Sequence, residues 1–394
     1  MPALQIYDRR ERALVAAGDA VLSAAAALAA PFRRRSLPRD PARILLFRLE
    51  RIGDLLMVLP AIADVRAAVP SSRIDLVVGS WNAEIASAIE GIDRVITIDP
   101  AWLSRGSGGT SLPALLATAR SWRAAGYDIA LNFEPDVRSN LIAATAGARW
   151  TAGYRSGGGG AVLDQALDYH PSEHTTDNAR RLVASVFDVP PRASQPGLKL
   201  PDSSRREAAD LIGTARRPLI AVHVSGGRPI KQWEPDHFAR VARTLVNERD
   251  ATIVLTGARG DEALIEGLRS RLPADRVIDA SIASGLLAVG AVLERCDLMI
   301  TGDTGPMHLA AAVGTPIVAV FGPSDPRRYA PRGAHDRVVR VELPCAPCNR
   351  IRLPPARCTG RTPDCLALVT PDTVAASALA ILDECRDPAR NVSS

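Results

Sequence analysis

The sequence predicts an α/β protein built from two doubly wound parallel sheets, and three observations carry that prediction. Short runs of Val, Ile and Leu alternate with longer segments of helical periodicity along most of the chain, as in strand and helix layers of a parallel sheet. The alternation occurs twice, on either side of the breaker-rich segment Val189-Pro190-Pro191-Arg192-Ala193-Ser194-Gln195-Pro196-Gly197, which reads as the approach to a domain boundary. At 394 residues the chain is long enough for two domains, each burying its own core. The expected division is a helical extension over 1–40, an N-terminal domain over 41–200 and a C-terminal domain over 201–394.

At the N-terminus, Leu14 to Ala30 is alanine-rich, interrupted by Asp19 and followed by Phe32-Arg33-Arg34-Arg35. Its acids make a poor signal peptide and its weakly apolar alanines a poor membrane span, so it reads as a helix. Packing on the protein's own surface is the favoured role; lying on an anionic membrane with Arg33 to Arg35 at the headgroups is the other. Ile44 to Leu49 is a buried strand, Glu50 to Asp54 the following turn, and Leu55 to Ala68 a helix stopped by Pro70. Strands at 74–78, 95–98, 129–133 and 150–154 then alternate with helices near 83–90, 112–125 and 137–146. The run Gly157 to Gly160 is too flexible for an element interior; a plain surface connection is favoured over a mobile loop above an acceptor site. A helix near 175–187 leads to the boundary.

The second half repeats the pattern, with strands at 219–224, 252–256, 277–278, 298–301 and 317–321. Helices are expected near 204–213, 236–248, 261–271 and 284–294, and a last one at 373–385. In such sheets ligands bind at the C-terminal ends of the strands. Composition agrees with a globular chain, 47% hydrophobic and 23% charged. A net charge of +5 favours acidic partners such as sugar nucleotides, phosphorylated glycans or an anionic membrane surface. No basic helix is interleaved with stacking aromatics, so nucleic acid is not an expected partner.

The most informative stretch is Ile300-Thr301-Gly302-Asp303-Thr304-Gly305-Pro306-Met307-His308-Leu309-Ala310-Ala311, a strand, tight turn and helix. Thr304 suits the N-cap and Pro306 the first helical turn. The unpaired amides and the helix dipole would converge on a phosphate or diphosphate. Asp303 would accept hydrogen bonds from sugar hydroxyls and His308 would donate to phosphate oxygen. The bland alternative is that Asp303 caps the turn and His308 is an ordinary helix residue. After the strand ending at Val224, Ser225-Gly226-Gly227-Arg228-Pro229-Ile230-Lys231-Gln232-Trp233 is a loop whose glycines allow backbone to approach a ligand. Read alone, Lys231 is a solvated lysine and Trp233 a packing residue.

The run Gly302 to Ala311, followed by Pro316 and by Phe321-Gly322-Pro323-Ser324-Asp325-Pro326, resembles the C-terminal signature of the lipopolysaccharide heptosyltransferase family of glycosyltransferases. Ile44-Leu45-Leu46-Phe47-Arg48-Leu49-Glu50-Arg51-Ile52-Gly53-Asp54, continuing to Ala61, resembles that family's N-terminal strand and Gly-Asp turn. The resemblance implies a GT-B fold, with two Rossmann-like domains facing an interdomain cleft. It implies an inverting, metal-independent transfer of heptose or a related sugar from a nucleotide-diphosphate sugar, ADP-heptose first among them. The acceptor would be a lipopolysaccharide core or another cell-envelope glycan at the cytoplasmic face of the inner membrane. Asp54 inherits the role of general base, the alternative being a cap on the helix beginning at Leu55. Lys231, before Gln-Trp, inherits the donor-binding lysine, and Ser225, Gly226, Gly302, Asp303, Thr304, Gly305 and His308 complete the donor site. Arg51 and Gly53, beside Asp54, are candidate acceptor residues.

One departure concerns the donor: where several family members place a ribose-holding acid after a strand-end Gly-Ala, this chain has Arg259, with Asp261 or Glu262 as substitutes. No cofactor is required. Glu134-Pro135-Asp136 and Glu234-Pro235-Asp236 read as helix starts with Pro in the first turn, not as metal-holding acid pairs. Cys345, Cys348, Cys358 and Cys365 lie in the segment 345–365; free, partly buried thiols are favoured over a structural zinc. Two rival functions stand beside the transferase: a sugar-nucleotide epimerase or hydrolase of the same fold, and a non-catalytic, membrane-associated glycan- or nucleotide-binding protein.

Overall fold

The computed structural model describes residues 9–29, 36–104, 108–190 and 197–386. The chain divides into two compact units, Met1–Gly197 and Leu198–Ser394. Helix α1, Arg9–Ala29, opens the first. Its strands are β1 (Arg43–Phe47), β2 (Arg73–Val78), β3 (Arg94–Thr97), β4 (Ile129–Asn132), β5 (Trp150–Tyr154) and β6 (Gln165–Leu167). They form one parallel sheet in the order β3-β2-β1-β4-β5-β6. Ile44 to Phe47 are wholly buried, as the uninterrupted apolar run of a strand covered on both faces requires. The winding direction reverses between β1 and β4, and in doubly wound sheets ligands bind beyond the strands' C-terminal ends at such a switch point.

Among the described residues of this unit, α1 is followed by α2 (Ile52–Leu56), α3 (Leu59–Ala68), α4 (Ala83–Ser87), α5 (Leu112–Ser121), α6 (Val137–Thr145) and α7 (Thr175–Phe187). The single helix expected from Leu55 to Ala68 is thus two, beginning three residues earlier and broken at Met57 and Val58. Pro60 accounts for the break, because proline is tolerated in the first turn of α3 but cannot donate within a continuous helix. The glycine run proves to be a packed seat. A Cβ on Gly157 would meet the Pro135 carbonyl oxygen at 1.8 Å, and Gly158, at φ +90°, lies under Val15 of α1. The Asp19 carboxylate accepts a hydrogen bond from the Gly159 amide at 2.6 Å, pinning α1 by one face. Arg33 to Arg35 lie outside the described residues.

The second unit repeats the design. Its strands are β7 (Leu219–His223), β8 (Thr252–Thr256), β9 (Val277–Asp279), β10 (Leu298–Gly302), β11 (Ile317–Val320) and β12 (Arg337–Val339), in the parallel order β12-β11-β10-β7-β8-β9. Counted from its own first strand this is the order of the first unit, with the switch point between β7 and β10. The helices are α8 (Asp202–Ile212), α9 (Pro235–Arg249), α10 (Glu262–Arg269), α11 (Leu286–Arg295), α12 (Gly305–Ala312), α13 (Pro326–Tyr329), α14 (Asp364–Ala367) and α15 (Pro371–Arg386). Trp233 is buried against Phe238 and donates its indole N–H to the Val369 carbonyl at 3.1 Å, which ties α9 to the segment before α15. The edge strands β6 and β12 were not expected, since each is only three residues long, half-buried throughout in β6 and up to the buried Val339 in β12, and carries no apolar run.

Candidate functional site

In each unit several of the candidate polar side chains lie at the switch point. In the first, β1 delivers Arg48 into the interior, 2% exposed, where an unpaired charge would be costly. Its guanidinium donates to the Phe133 carbonyl at 2.7 Å and the Asp54 carbonyl at 3.1 Å, and contacts the Asp54 carboxylate at 3.2 Å and that of Glu50 at 3.5 Å. Burial opposes its charge, but Asp54, Glu50 and Glu134 outweigh that and keep it protonated. Asp54 sits inside α2, whose cap is Arg51, and accepts the Arg51 amide at 3.3 Å. The carboxylate therefore does cap a helix, though one starting at Ile52, and its side chain keeps 26% exposure. Gly53 is buried in the same turn. The Arg51 guanidinium stacks over Trp81 at 5.0 Å and donates to the Leu103 carbonyl.

Glu134 was missed as a site residue. It is 2% exposed, and one carboxyl oxygen accepts the amides of Leu49 and, at 2.7 Å, Glu50. Burial, reinforced by Glu50, pushes its carboxyl up to about 8, against the opposing pull of Arg48. Asp136 alone performs the expected helix start, capping α6 through the amides of Arg138 and Ser139. The available signal was position: the residue two beyond β4 stands beside the end of β1 in a doubly wound sheet.

In the second unit the loop after β7 folds back on itself. A Cβ on Gly226 would stand 2.7 Å from backbone atoms of Lys231 and Gln232, so only glycine fits. Gln232, also missed, staples the loop: its side-chain oxygen accepts the Gly226 amide at 2.7 Å and its nitrogen donates to the carbonyls of Val224 and Trp233. The Ser225 hydroxyl accepts the Gly227 amide at 3.4 Å. The loop brings the Lys231 ammonium to 2.9 Å from the Asp303 carboxylate, just past β10. Burial would raise the Asp303 carboxyl, but Lys231, a Ser324 hydrogen bond and His308 hold it below the usual carboxylate range. Two residues expected to hold ligand thus hold each other.

Thr304 caps α12 by backbone geometry only; its hydroxyl lies 3.1 Å from that of Thr301 and leaves the first helical amides to other acceptors. Gly305 begins the helix, His308 is buried one turn in, and Gly302 ends β10 against the Lys231 carbonyl. Lys231, Gly302, Asp303, Thr304, Gly305 and His308 therefore converge at one switch point. Asp261 and Glu262 accept the amides of Ala258 and Gly260 within their own turn. Glu234 begins α9 and takes a hydrogen bond from Thr362. Burial pushes the Cys365 thiol up to about 11, with Cys348, Cys358 and Cys345 adding to the rise. Among the described residues no group of three or more His, Cys, Asp or Glu side chains is arranged to hold a metal ion.

Two parallel sheets of one strand order in a single chain, each with its polar residues at the switch point, are the architecture of GT-B glycosyltransferases, and that is the class of this protein. The solved structure of Escherichia coli ADP-heptose lipopolysaccharide heptosyltransferase II superposes with a TM-score of 0.71 at 21% identity, covering 87% of this chain and 99% of that one. The family 9 glycosyltransferase of Veillonella parvula does so with a TM-score of 0.75 at 23% identity, covering 87% and 98%. The chain belongs to glycosyltransferase family 9, the heptosyltransferases, whose family model matches residues 115–354. Lipopolysaccharide heptosyltransferase 2 of Salmonella typhimurium is 25% identical over 315 residues, 76% of this chain and 88% of that relative.

Proposed function

We propose that this glycosyltransferase moves a heptose from ADP-heptose to a lipopolysaccharide core or a similar envelope glycan, with inversion and without a metal, at the cytoplasmic face of the inner membrane. The observation that carries the reading is the convergence of Lys231, Asp303 and the start of α12 at the switch point of the second unit. An ammonium and the amides that begin a helix offer the charge complement of a diphosphate. In the reaction, Asp54 takes the proton of an acceptor hydroxyl as that oxygen bonds to the anomeric carbon. The bond from that carbon to the diphosphate breaks, and the leaving group departs with the electron pair, stabilised by Lys231, the first amides of α12 and His308. Asp303 accepts from hydroxyls of the bound donor, and Arg48 orients the base. The first unit is the acceptor domain, with Arg51 and Gly53 beside the attacking hydroxyl, and the second is the donor domain. The names of the relatives support the choice of sugar and acceptor.

Incubation of the enzyme with ADP-heptose, heptose-deficient lipopolysaccharide and excess chelator tests the reading. Transfer that survives the chelator and needs the acceptor is expected. Consumption of the donor at the same rate without acceptor would replace transferase with hydrolase or epimerase.

A further inference from the structure

Helix α1 presents a surface that water does not explain. Val15, Asp19, Leu22 and Ala26, spaced for one face, are half-buried, with Val15 over Gly158 and Asp19 bonded to the Gly159 amide. Every exposed residue from 13 to 28 is apolar: alanines, Gly18, and Leu14, Val21 and Leu28 at 75%, 69% and 80% exposure. The two polar residues in that span, Asp19 and Ser23, are both on the half-buried side. A surface helix normally turns charge to solvent on the face opposite its packing stripe. Here three large side chains, seven residues apart, stand in line and exposed among the described residues.

Charge identifies the occupant. Residues 1–40 carry seven arginines against four acids, grouped at Arg9, Arg10 and Arg12 before the stripe and at Arg33, Arg34 and Arg35 after it. A second copy laid on the stripe would bring together two chains whose sequences carry the same surplus of arginine. An anionic lipid surface accepts the apolar stripe at the acyl boundary, and its charge complements the surplus of arginine in this part of the sequence. Among the described residues no helix is long and apolar enough to cross a membrane, so α1 would lie in the interface. We infer that α1 docks the enzyme on anionic phospholipid bilayers through Leu14, Val21 and Leu28. The device goes beyond the proposed transfer reaction and is read without donor or acceptor, so either can fail alone.

The test uses the full chain and sedimentation with vesicles of equal parts phosphatidylglycerol and phosphatidylcholine, or of phosphatidylcholine alone. Binding to the anionic vesicles is expected, weaker on neutral ones by about fivefold for each arginine engaged. The double variant Val21→Asp, Leu28→Asp is expected to bind at least about a hundredfold less, with thermal unfolding unmoved because both positions are exposed. Equal binding of variant and wild type, or none by either, overturns the proposal. So does a dimer in solution that the double variant dissociates, which would give the stripe to a second copy.

Discussion

An ammonium and a carboxylate 2.9 Å apart, Lys231 and Asp303, compete with the ligand each is proposed to bind. A diphosphate must draw Lys231 from Asp303, and the sugar hydroxyls must then take its place on the carboxylate. Asp303→Asn therefore should leave ADP binding equal or tighter while weakening the nucleotide sugar, a split that calorimetric titration with each ligand resolves. Lys231→Met should lower kcat by about 10²- to 10³-fold, as loss of one preorganised charge partner of a leaving group does. Asp54→Ala, proposed to lose the base, should cost about 10²- to 10⁴-fold in kcat with the donor KM little changed, checked by steady-state kinetics. Glu134 offers a pH signature. Its folded-state value, up to about 8, is above the ordinary 4.5, so its contribution is complete below 4.5 and is lost as pH rises towards 8. Glu134→Gln keeps an acceptor for the Leu49 and Glu50 amides but cannot titrate. The wild type minus variant difference in unfolding free energy should thus decline across that interval and flatten above it.

Elements decide whether those residues meet at all. The loop from Ser225 to Lys231 is held by Gly226 and Gln232, so Gly226→Ala must push apart backbone atoms 2.7 Å away. Thermal denaturation should show a loss of roughly 1–3 kcal/mol, and the donor KM should rise because Lys231 moves with the loop. The strands that end at these loops were legible from sequence because buried parallel strands are uninterrupted apolar runs, as in Ile44 to Phe47 and Leu298 to Ile300. Lys231 and the turn at Asp303 were legible from local spacing and family likeness together. Glu134 and Gln232 were not. Their partners are set by which strands lie side by side and by how one loop folds, and neither periodicity nor capping chemistry encodes that. The glycine run was misjudged for the same reason: the need for glycine at 157 comes from Pro135, distant in sequence and adjacent in the fold.

At the level of the whole chain, both halves place their first strand in the middle of the sheet, and every strand of each sheet comes from its own half. Among the described residues no strand pairing crosses the join at Gly197 and Leu198. A polypeptide so partitioned has two separate reservoirs of cooperativity. Differential scanning calorimetry should record a pair of endotherms, and saturating ADP should move only one of them to higher temperature, through a stabilisation of RT ln(1 + [L]/Kd). The shifted peak belongs to residues 198–394, and that stretch expressed alone should melt at the same ADP-dependent temperature.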